Sequence, residues 1–168
     1  MVEYKFCPLC AGKLAIKIKD DKPRQVCSEC GFVFYQNPRP CVAVLVEKGE
    51  KIMLARRGIE PYRDWWDLPG GFIEEGEHPE EAVHREIAEE TGLEVEIIKL
   101  LGVVNDTYGD TGIHTMNFHY LTRFRNGMEK PQDDVNEIKW FSASELPEKI
   151  AFHNCRSAVE NWKKTRTG

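Results

Sequence analysis

The alternation of apolar and polar positions along the chain predicts several strands with one long helix among them. Strand-like patterns begin at five places, with the sequences CVAVLVEKG, EKIMLARR, LEVEIIKLLGVVND, IHTMNFHYLTRF and VNEIKWFSA. Helical patterns cover PEEAVHREIAEET, SASELPEK and HNCRSAVENWKK. Strands with helices before and after them predict an α+β fold, in which a mixed sheet is covered on both faces.

The helix predicted from Pro79 to Thr91 carries a dense group of carboxylates. Val83 marks its inward face, and three glutamates lie on an arc of roughly 100° beside that face: Glu86, Glu89 and Glu90. Glu90 falls almost in line with Val83, so we expect at least one carboxylate to point toward the body of the protein.

Like charges three or four positions apart on a helix are unfavourable by a few tenths of a kcal/mol per pair. A solvated acidic face is one interpretation, but it would need lysines at the alternate positions, and only His84 and Arg85 are near. Magnesium would neutralise the group, because it binds a few carboxylates together with waters and phosphate oxygens. Gly70 and Gly71 precede the helix in a predicted loop, where the backbone can approach a metal or a phosphate.

The composition fits one ordinary domain with a small appendage. The chain has 168 residues, of which 41% are hydrophobic and 30% charged. Its net charge of -5 argues mildly against broad binding to nucleic acid or an anionic membrane, although local basic patches leave nucleic acid open. The longest apolar run is too short to span a bilayer, and the first residues do not read as a secretory signal. We therefore expect a cytoplasmic protein without a membrane partner.

Four of the six cysteines form two CxxC pairs separated by sixteen residues, a spacing typical of a zinc site: Cys7, Cys10, Cys27 and Cys30. Four thiolates close the tetrahedral coordination sphere, so this zinc would be structural. Unrelated thiols or two disulfides are the less favoured alternatives. Because the prolines of YQNPRP interrupt regular structure, we predict a zinc ribbon over residues 1–37 and a main domain over 38–168. Cys41 and Cys155 are expected to be buried packing residues.

The acidic helix and the segment before it match a known motif. Gly71, Glu77, the run from Arg85 to Thr91, Gly92 and Leu93 agree with every fixed position of the Nudix box, so the chain resembles a Nudix hydrolase. The segments LARRGIEPYRDWWDLPGGF and EIKWFSASELP are similar to the same family. The cysteine ribbon resembles that of the NADH pyrophosphatase and plant FAD pyrophosphatase branches.

This resemblance implies an α/β/α sandwich that hydrolyses a nucleoside diphosphate linked to another moiety, by attack of water on phosphorus with magnesium or manganese. It assigns the metal to the Gly70 carbonyl and to Glu86, Glu89 and Glu90, with Arg85 and Glu77 as orienting partners. A further family glutamate is replaced here by Asp134, which leaves the base open between Asp134, Glu90 and neither. Ribbon-bearing relatives also suggest a homodimer, although nothing in the sequence sets the oligomeric state.

The substrate is less closely defined by the sequence. The array that accompanies NADH activity is absent after the box, where the chain reads LLGVVNDTYGDTG, and this leaves FAD, ADP-ribose and related dinucleotides. Arg57 and Arg56 are candidates for phosphate contacts. Trp66 and Tyr108 are candidates for stacking on a base, with core packing as the alternative.

Two other functions remain open from the sequence. The ribbon could bind nucleic acid or a protein partner, because its segment between Cys10 and Cys30 carries five cations and only three acidic residues: Lys13, Lys17, Lys19, Lys22 and Arg24 against Asp20, Asp21 and Glu29. In a combined alternative, the chain is a Nudix enzyme acting on a nucleotide cap, with the ribbon guiding the RNA strand. Three mutually repelling glutamates favour the enzyme over a pure scaffold.

Overall fold

The computed structural model describes residues 4–166. Within them the chain divides into two compact units, 4–38 and 39–166. In the first unit, β1 (Leu14–Lys19) and β2 (Lys22–Cys27) form an antiparallel hairpin, and β3 (Val33–Phe34) pairs with β2. Asp20 and Asp21 both have positive φ angles, as a two-residue hairpin turn requires. The segment between the two cysteine pairs therefore folds as a hairpin.

The second unit is built on a six-stranded mixed sheet. Its strands are β4 (Arg39–Lys48), β5 (Lys51–Arg57), β6 (Trp66–Asp67), β7 (Leu93–Thr107), β8 (His114–Gly127) and β9 (Val135–Ser142). The order is β6-β5-β4-β8-β7, with β9 also paired to β5. Only the β4–β8 pairing is parallel among the strand pairs of residues 39–166. The five strand patterns read from the sequence all correspond to strands of this sheet.

Two helices cover opposite faces of the sheet: α1 (Pro79–Thr91) and α2 (His153–Lys164). Alternate residues of β4 point to opposite faces, so Val44 packs in the cluster that contains Val83 of α1, and Leu45 in the cluster that contains Val159 of α2. These two apolar layers make the unit an α/β/α sandwich, which confirms the predicted fold class. Neither helix combines the length and apolarity needed to cross a bilayer.

The sequence signals at the ends of α1 are matched by the structure. His78 and Glu81 form a reciprocal capping box at the N-terminus, and Gly92 ends the helix in the left-handed conformation. The helix predicted for SASELPEK is wrong. That segment contains a single turn in which the Glu145 N–H bonds to the Ser142 carbonyl, and Pro147 prevents the turn from continuing as a helix.

His119 is a buried titratable group under α2. Its Nε2 lies 2.9 Å from Oδ1 of Asn154 at the beginning of that helix, and the side chain is almost fully enclosed. Burial lowers the pKa of His119, and this effect outweighs the opposing influences of Asn154 and the Asp106 carboxylate. The neutral imidazole is therefore the form that the folded protein holds.

We predict that His119→Gln makes the stability less sensitive to acid. Because the folded-state pKa lies below the unfolded value of about 6.5, the contribution of His119 is fully present above that pH. It is lost as the pH falls from there toward the folded pKa, at up to about 1.4 kcal/mol per pH unit. Glutamine can keep a hydrogen bond to Asn154 without titrating. The free energy of unfolding, measured in urea between pH 5 and 8, should fall less in His119→Gln than in wild type, while exposed His84→Gln should behave as wild type.

Candidate active site

A glycine loop brings the polypeptide backbone against the acidic helix. The loop runs beside the beginning of β4, where the Val42 N–H bonds to the Gly71 carbonyl and the Val44 N–H to the Pro69 carbonyl, both at 2.9 Å. Gly70 has a φ of 143°, and a Cβ there would collide with the Val42 carbonyl oxygen. A Cβ at Gly71 would lie 2.5 Å from Oε1 of Glu86. Only glycine therefore lets the loop lie this close to both β4 and α1.

The guanidinium of Arg85 gathers three carboxylates and the loop. Its Nε and Nη2 donate to the two oxygens of Glu77 at 2.7 and 2.9 Å, a bidentate pair. Nη1 donates to Glu86 at 2.8 Å and Glu89 at 3.0 Å, and Nη2 also donates to the Phe72 carbonyl at 3.0 Å. The hydrogen bonds from Arg85 lower the pKa of Glu77 to about 2. Much of the predicted repulsion on α1 is thus offset within the protein.

Glu90 is the carboxylate that no cation neutralises. Its side chain is 8% exposed, and Oε2 accepts a hydrogen bond of 3.0 Å from the Gly70 N–H. No ion pair joins it to a cation within residues 4–166. Burial raises the pKa of Glu90 well above its ordinary value, and the nearby carboxylates of Glu86, Asp67 and Asp134 raise it further. A charged Glu90 therefore calls for a cation from outside the chain.

The donor set fits a hard divalent cation. Glu86 and Glu90 are both buried beside a cleft lined also by Gly70 and Gly71, and carboxylate oxygens are the ligands that magnesium prefers. Glu89 lies on the same cleft, but its carboxylate is bound to Arg85. Glu86 is bound to Arg85 in the same way, so Glu86 and Glu89 each keep a second carboxylate oxygen that Arg85 does not hold, whereas Glu90 accepts its hydrogen bond from the Gly70 N–H.

Arg57 and Asp67, which both line the cleft, form an ion pair. Arg57 Nη1 lies 3.3 Å from Oδ2 of Asp67, and Arg57 also donates to the Pro61 carbonyl at 2.7 Å and to the Tyr108 hydroxyl at 3.4 Å. Burial raises the pKa of Asp67 to about 6 although Arg57 opposes this shift. Asp67 is a site residue that the sequence reasoning missed. Asp67 lies opposite Ala55 in the β5–β6 ladder, and Ala55 is two residues before Arg57 on β5. The register therefore places Asp67 on the same face of the sheet as Arg57.

Two predicted substrate-binding residues lie outside the cleft. Arg56 projects from the opposite face of β5 to Arg57 and pairs with Asp64 at 3.6 Å and Glu137 at 3.3 Å. Trp66, which pairs with Arg56 in the β5–β6 ladder, packs its ring against Phe141 in the core beside α2. Strand alternation explains both positions, because neighbouring residues in a strand point to opposite faces.

Tyr108 does line the cleft, together with aromatic residues that were not predicted. Its ring stacks on that of Phe152, with centroids 5.5 Å apart and an interplanar angle of 23°, and Phe72 lies on its other side at 5.8 Å. The Arg57 guanidinium lies 4.9 Å from the Phe152 ring centroid. Phe152 has a φ of 45° just before α2, an unusual conformation that no sequence pattern indicated.

Asp134 lies on the same cleft as Glu90 and Arg57. Burial and the neighbouring Asp133 carboxylate raise its pKa, whereas Arg57 lowers it. The backbone carbonyl of Asp134 accepts a hydrogen bond of 2.6 Å from the Gly58 N–H, and this fixes the loop before β9. Its carboxylate accepts no hydrogen bond from residues 4–166, so it is available to a ligand. The cleft, about 360 Å³ in volume, is therefore lined by a carboxylate cluster, by the guanidinium groups of Arg57 and Arg85, and by an aromatic wall.

The four cysteines of the first unit form a separate candidate metal centre. Among residues 4–166 they are the only such group whose donor atoms all lie within 4.8 Å of one another. The Cys7–Cys30 and Cys10–Cys27 sulfur distances are 3.6 and 3.5 Å, near the edge of about 3.8 Å expected for a tetrahedron with 2.3 Å zinc–sulfur bonds. The N–H groups of Cys30 and Glu29 lower the pKa of Cys27 to about 7 and favour a thiolate. These thiols fit zinc.

Comparison with known proteins gives two family matches. A model described as NUDIX domain matches residues 37–160, and one described as Nudix N-terminal matches residues 5–36. An ADP-ribose pyrophosphatase of Methanocaldococcus jannaschii is 36% identical over 82% of this chain and 80% of its own length. A NAD-capped RNA hydrolase NudC of Chromobacterium violaceum is 30% identical over 86% of this chain, which spans only 52% of that relative. The crystal structure of a NUDIX hydrolase from Nitrosomonas europaea has a TM-score of 0.88 and 30% identity, covering 97% of this chain and 92% of its own.

We predict that Gly71→Ala impairs catalysis more than folding. The new Cβ would displace the flexible end of Glu86, and a displacement of about 1 Å at a reacting site can lower turnover by about 100-fold. Steady-state kinetics and thermal unfolding should be measured together. Gly102→Ala is the matched control, because a Cβ there meets no atom within 4 Å. Equal turnover in both variants would show that the position of Glu86 does not matter.

We also predict that Cys27→Ser abolishes zinc binding, because an alcohol oxygen cannot replace a thiolate in a four-sulfur site. Zinc content should fall from about one ion per chain to near zero, and residues 4–38 should become sensitive to proteolysis. Exposed Ser28→Ala is the adjacent control and should retain its metal. A full complement of zinc in Cys27→Ser would contradict the assignment of the four cysteines.

Proposed function

We propose that this chain, which belongs to the Nudix hydrolase family, is a magnesium- or manganese-dependent pyrophosphohydrolase of dinucleotide-type substrates. The resemblance read from the sequence is confirmed by the family matches. The reaction is attack of water on one phosphorus of the pyrophosphate link, which leaves two monophosphates. The buried, cation-free carboxylate of Glu90 beside Glu86 carries the proposal, since a metal–phosphate complex would supply the missing positive charge.

Glu86, Glu89 and Glu90 would hold the metal, with the Gly70 carbonyl as the fourth protein ligand. Bound there, the metal would polarise the phosphate oxygens and lower the pKa of the attacking water. Arg85 keeps Glu86 in place through its hydrogen bond, while Glu77 fixes Arg85 through the bidentate pair. These two residues therefore act by positioning rather than by contact with substrate.

Asp134 is the base that the geometry favours. Glu90 is fixed by the Gly70 N–H and is needed by the metal, whereas the Asp134 carboxylate faces the same cleft without a hydrogen-bond partner in residues 4–166. A raised pKa also suits a carboxylate that must accept a proton from water. Asp134 would thus take the proton while the carboxylates on α1 remain bound to metal.

The other end of the cleft suits a planar group joined to phosphate. Arg57 can donate to a phosphate oxygen in place of Tyr108, and the Phe72, Tyr108 and Phe152 rings offer apolar faces beside it. The relative from Methanocaldococcus jannaschii is named an ADP-ribose pyrophosphatase. We therefore propose ADP-ribose or FAD as the substrate. NADH is less favoured because the sequence array that accompanies NADH activity is absent after the Nudix box. We also propose a cytoplasmic location, where free thiols stay reduced.

A second candidate substrate is a nucleotide-capped RNA. Several relatives are named NAD-capped RNA hydrolase, although the chain spans about half the length of those proteins. The feature of this chain that favours the candidate is the concentration of lysines on one side of the β1–β2 hairpin. An RNA substrate would show stronger salt dependence than a free dinucleotide, because counterions are released from its backbone.

We predict that Glu90→Gln lowers turnover by about 100-fold or more, because the amide is a poor metal ligand. Folding should be retained or slightly stabilised, since the change removes a buried charge. Product chromatography with magnesium should use a panel of FAD, NADH, ADP-ribose, diadenosine polyphosphates and nucleoside triphosphates. The expected products of the preferred dinucleotide are AMP and the partner monophosphate.

Exposed Glu94→Gln, which makes the same chemical change beyond the end of α1, is the control for this experiment and should retain wild-type turnover. Normal magnesium-dependent turnover by Glu90→Gln would reject the proposed metal site. Failure of the zinc-loaded wild type to cleave any member of the panel would reject the small-molecule substrate and direct the assay to capped RNA.

A further inference from the structure

The three-stranded sheet of the first unit has two chemically different faces. Residues directly opposite each other in the β1–β2 ladder share a face, and the register fixes which residues these are. One face is uncharged and carries Leu14, Ile16, Ile18, Pro23 and Gln25. The other is basic and carries Lys17, Lys19, Lys22 and Arg24. The hairpin therefore collects its positive charge on a single side.

The cations on this side of the hairpin lie directly opposite one another on β1 and β2. Lys17 lies directly opposite Arg24, and Lys19 lies directly opposite Lys22. Like charges at such positions destabilise a strand pair by a fraction of a kcal/mol. Within residues 4–166 no carboxylate lies at ion-pair distance from any of the three lysines, all of which are exposed. The three lysines thus form no ion pair of their own and offer positive charge to a ligand, while Asp20 of the turn pairs with Arg24.

Arg24 and Tyr35 add a fixed aromatic ring to the same side. The guanidinium carbon of Arg24 lies 4.4 Å from the Tyr35 ring centroid, and its Nε lies 3.9 Å from Oδ2 of Asp20. The Tyr35 hydroxyl donates to the same Asp20 oxygen at 3.3 Å. Nearly half of the tyrosine surface, 48%, remains exposed. The ring is therefore held beside Arg24, the residue opposite Lys17, with part of its surface accessible.

The basic side is distant from the thiolates of the zinc site along the hairpin. The pair formed by Lys19 and Lys22 is five registers from the pair formed by Leu14 and Cys27. With a rise of about 3.4 Å per residue, this separation is roughly 17 Å. The negative charge of a four-thiolate zinc site is therefore beyond a Debye length of about 8 Å at physiological salt. It does not cancel the positive charge at the tip of the hairpin.

We propose that this basic face, defined by Lys17, Lys19, Lys22, Arg24 and Tyr35, binds a single-stranded nucleic acid. Phosphates would neutralise the opposed cations, and a base would stack on the exposed tyrosine ring, the combination used by single-strand binding surfaces. Lys17 and Lys19 are two residues apart on one strand, about 6.7 Å, which is close to the spacing of phosphates along an extended strand. An acidic protein segment would match the charges but would leave the ring without a planar partner.

The binding test does not depend on hydrolysis, although guidance of a capped RNA would rest on the proposed function. Fluorescence anisotropy of a labelled single-stranded RNA of about 20 nucleotides would be measured with the zinc-loaded full chain in EDTA-free buffer without magnesium. For contacts to four phosphates, affinity should fall about fiftyfold as salt rises from about 50 to about 200 mM. In K17Q/K19Q/K22Q it should fall only about threefold, and the binding at low salt should be much weaker.

Two variants control for charge and folding. K51Q/K99Q/K164Q changes the net charge equally at exposed positions of residues 39–166, and it should retain the wild-type salt dependence. K17R/K19R/K22R keeps the cations and should also retain it. If K17Q/K19Q/K22Q loses zinc, its weaker RNA binding cannot be interpreted. RNA binding by K17R/K19R/K22R and the salt dependence of wild type then decide whether the basic face binds RNA. RNA binding that is absent in wild type, or equal in both glutamine variants, would overturn the proposal.

The ring distinguishes nucleic acid from an acidic protein. Loss of one stacked base, about 1–3 kcal/mol, predicts that Tyr35→Leu binds the RNA about 5- to 150-fold more weakly. Unchanged RNA binding by that variant, or binding of polyglutamate as tight as that of RNA, would reject the nucleic-acid assignment. Hydrolysis of ADP-ribose by K17Q/K19Q/K22Q should equal that of wild type, so failure of the active-site proposal is detected separately.

Discussion

The site depends on the hydrogen bonds that the guanidinium of Arg85 donates. This guanidinium joins Glu77 before α1, Glu86 and Glu89 on α1, and the Phe72 carbonyl of the glycine loop. A single planar cation thus connects three carboxylates to a backbone segment that itself is hydrogen-bonded to β4. The bidentate contact to Glu77 fixes the plane of the guanidinium, so the direction of the Glu86 bond is fixed as well. Lysine could supply the charge but not this geometry.

The arrangement divides the acidic helix into compensated and uncompensated carboxylates. Arg85 neutralises Glu86 and Glu89, while the buried Glu90 has the Gly70 N–H as its one hydrogen-bond partner among residues 4–166. An isolated buried carboxylate is costly for a fold, and it is retained where a ligand supplies the opposite charge. The sandwich can support this cost because two apolar layers, one under each helix, stabilise the sheet that carries the cleft.

Much of the fold could be predicted from the sequence because its signals are local. The periodicity of the strands and the end signals of α1 identified those elements, and the spacing of the cysteines identified the four-sulfur cluster. Asp67, Phe72 and Phe152 could not be found in this way, since tertiary packing brings them to one cleft from a short strand, a loop and a residue with an unusual φ. Sequence proximity placed Arg56 and Trp66 with Arg57, but alternation along β5 and β6 separates them. The turn at SASELPEK was mispredicted for a local reason, because its helical composition is interrupted by one proline.

The most direct test of the central claim is anomalous diffraction at the manganese edge from crystals of the zinc-loaded protein equilibrated with manganese. We expect a manganese peak in the cleft in contact with the carboxylates of Glu86 and Glu90, and distinct from a zinc peak at the four cysteines. A manganese peak away from α1, or none in the cleft of crystals that retain zinc, would contradict the claim that the buried carboxylates form a metal site.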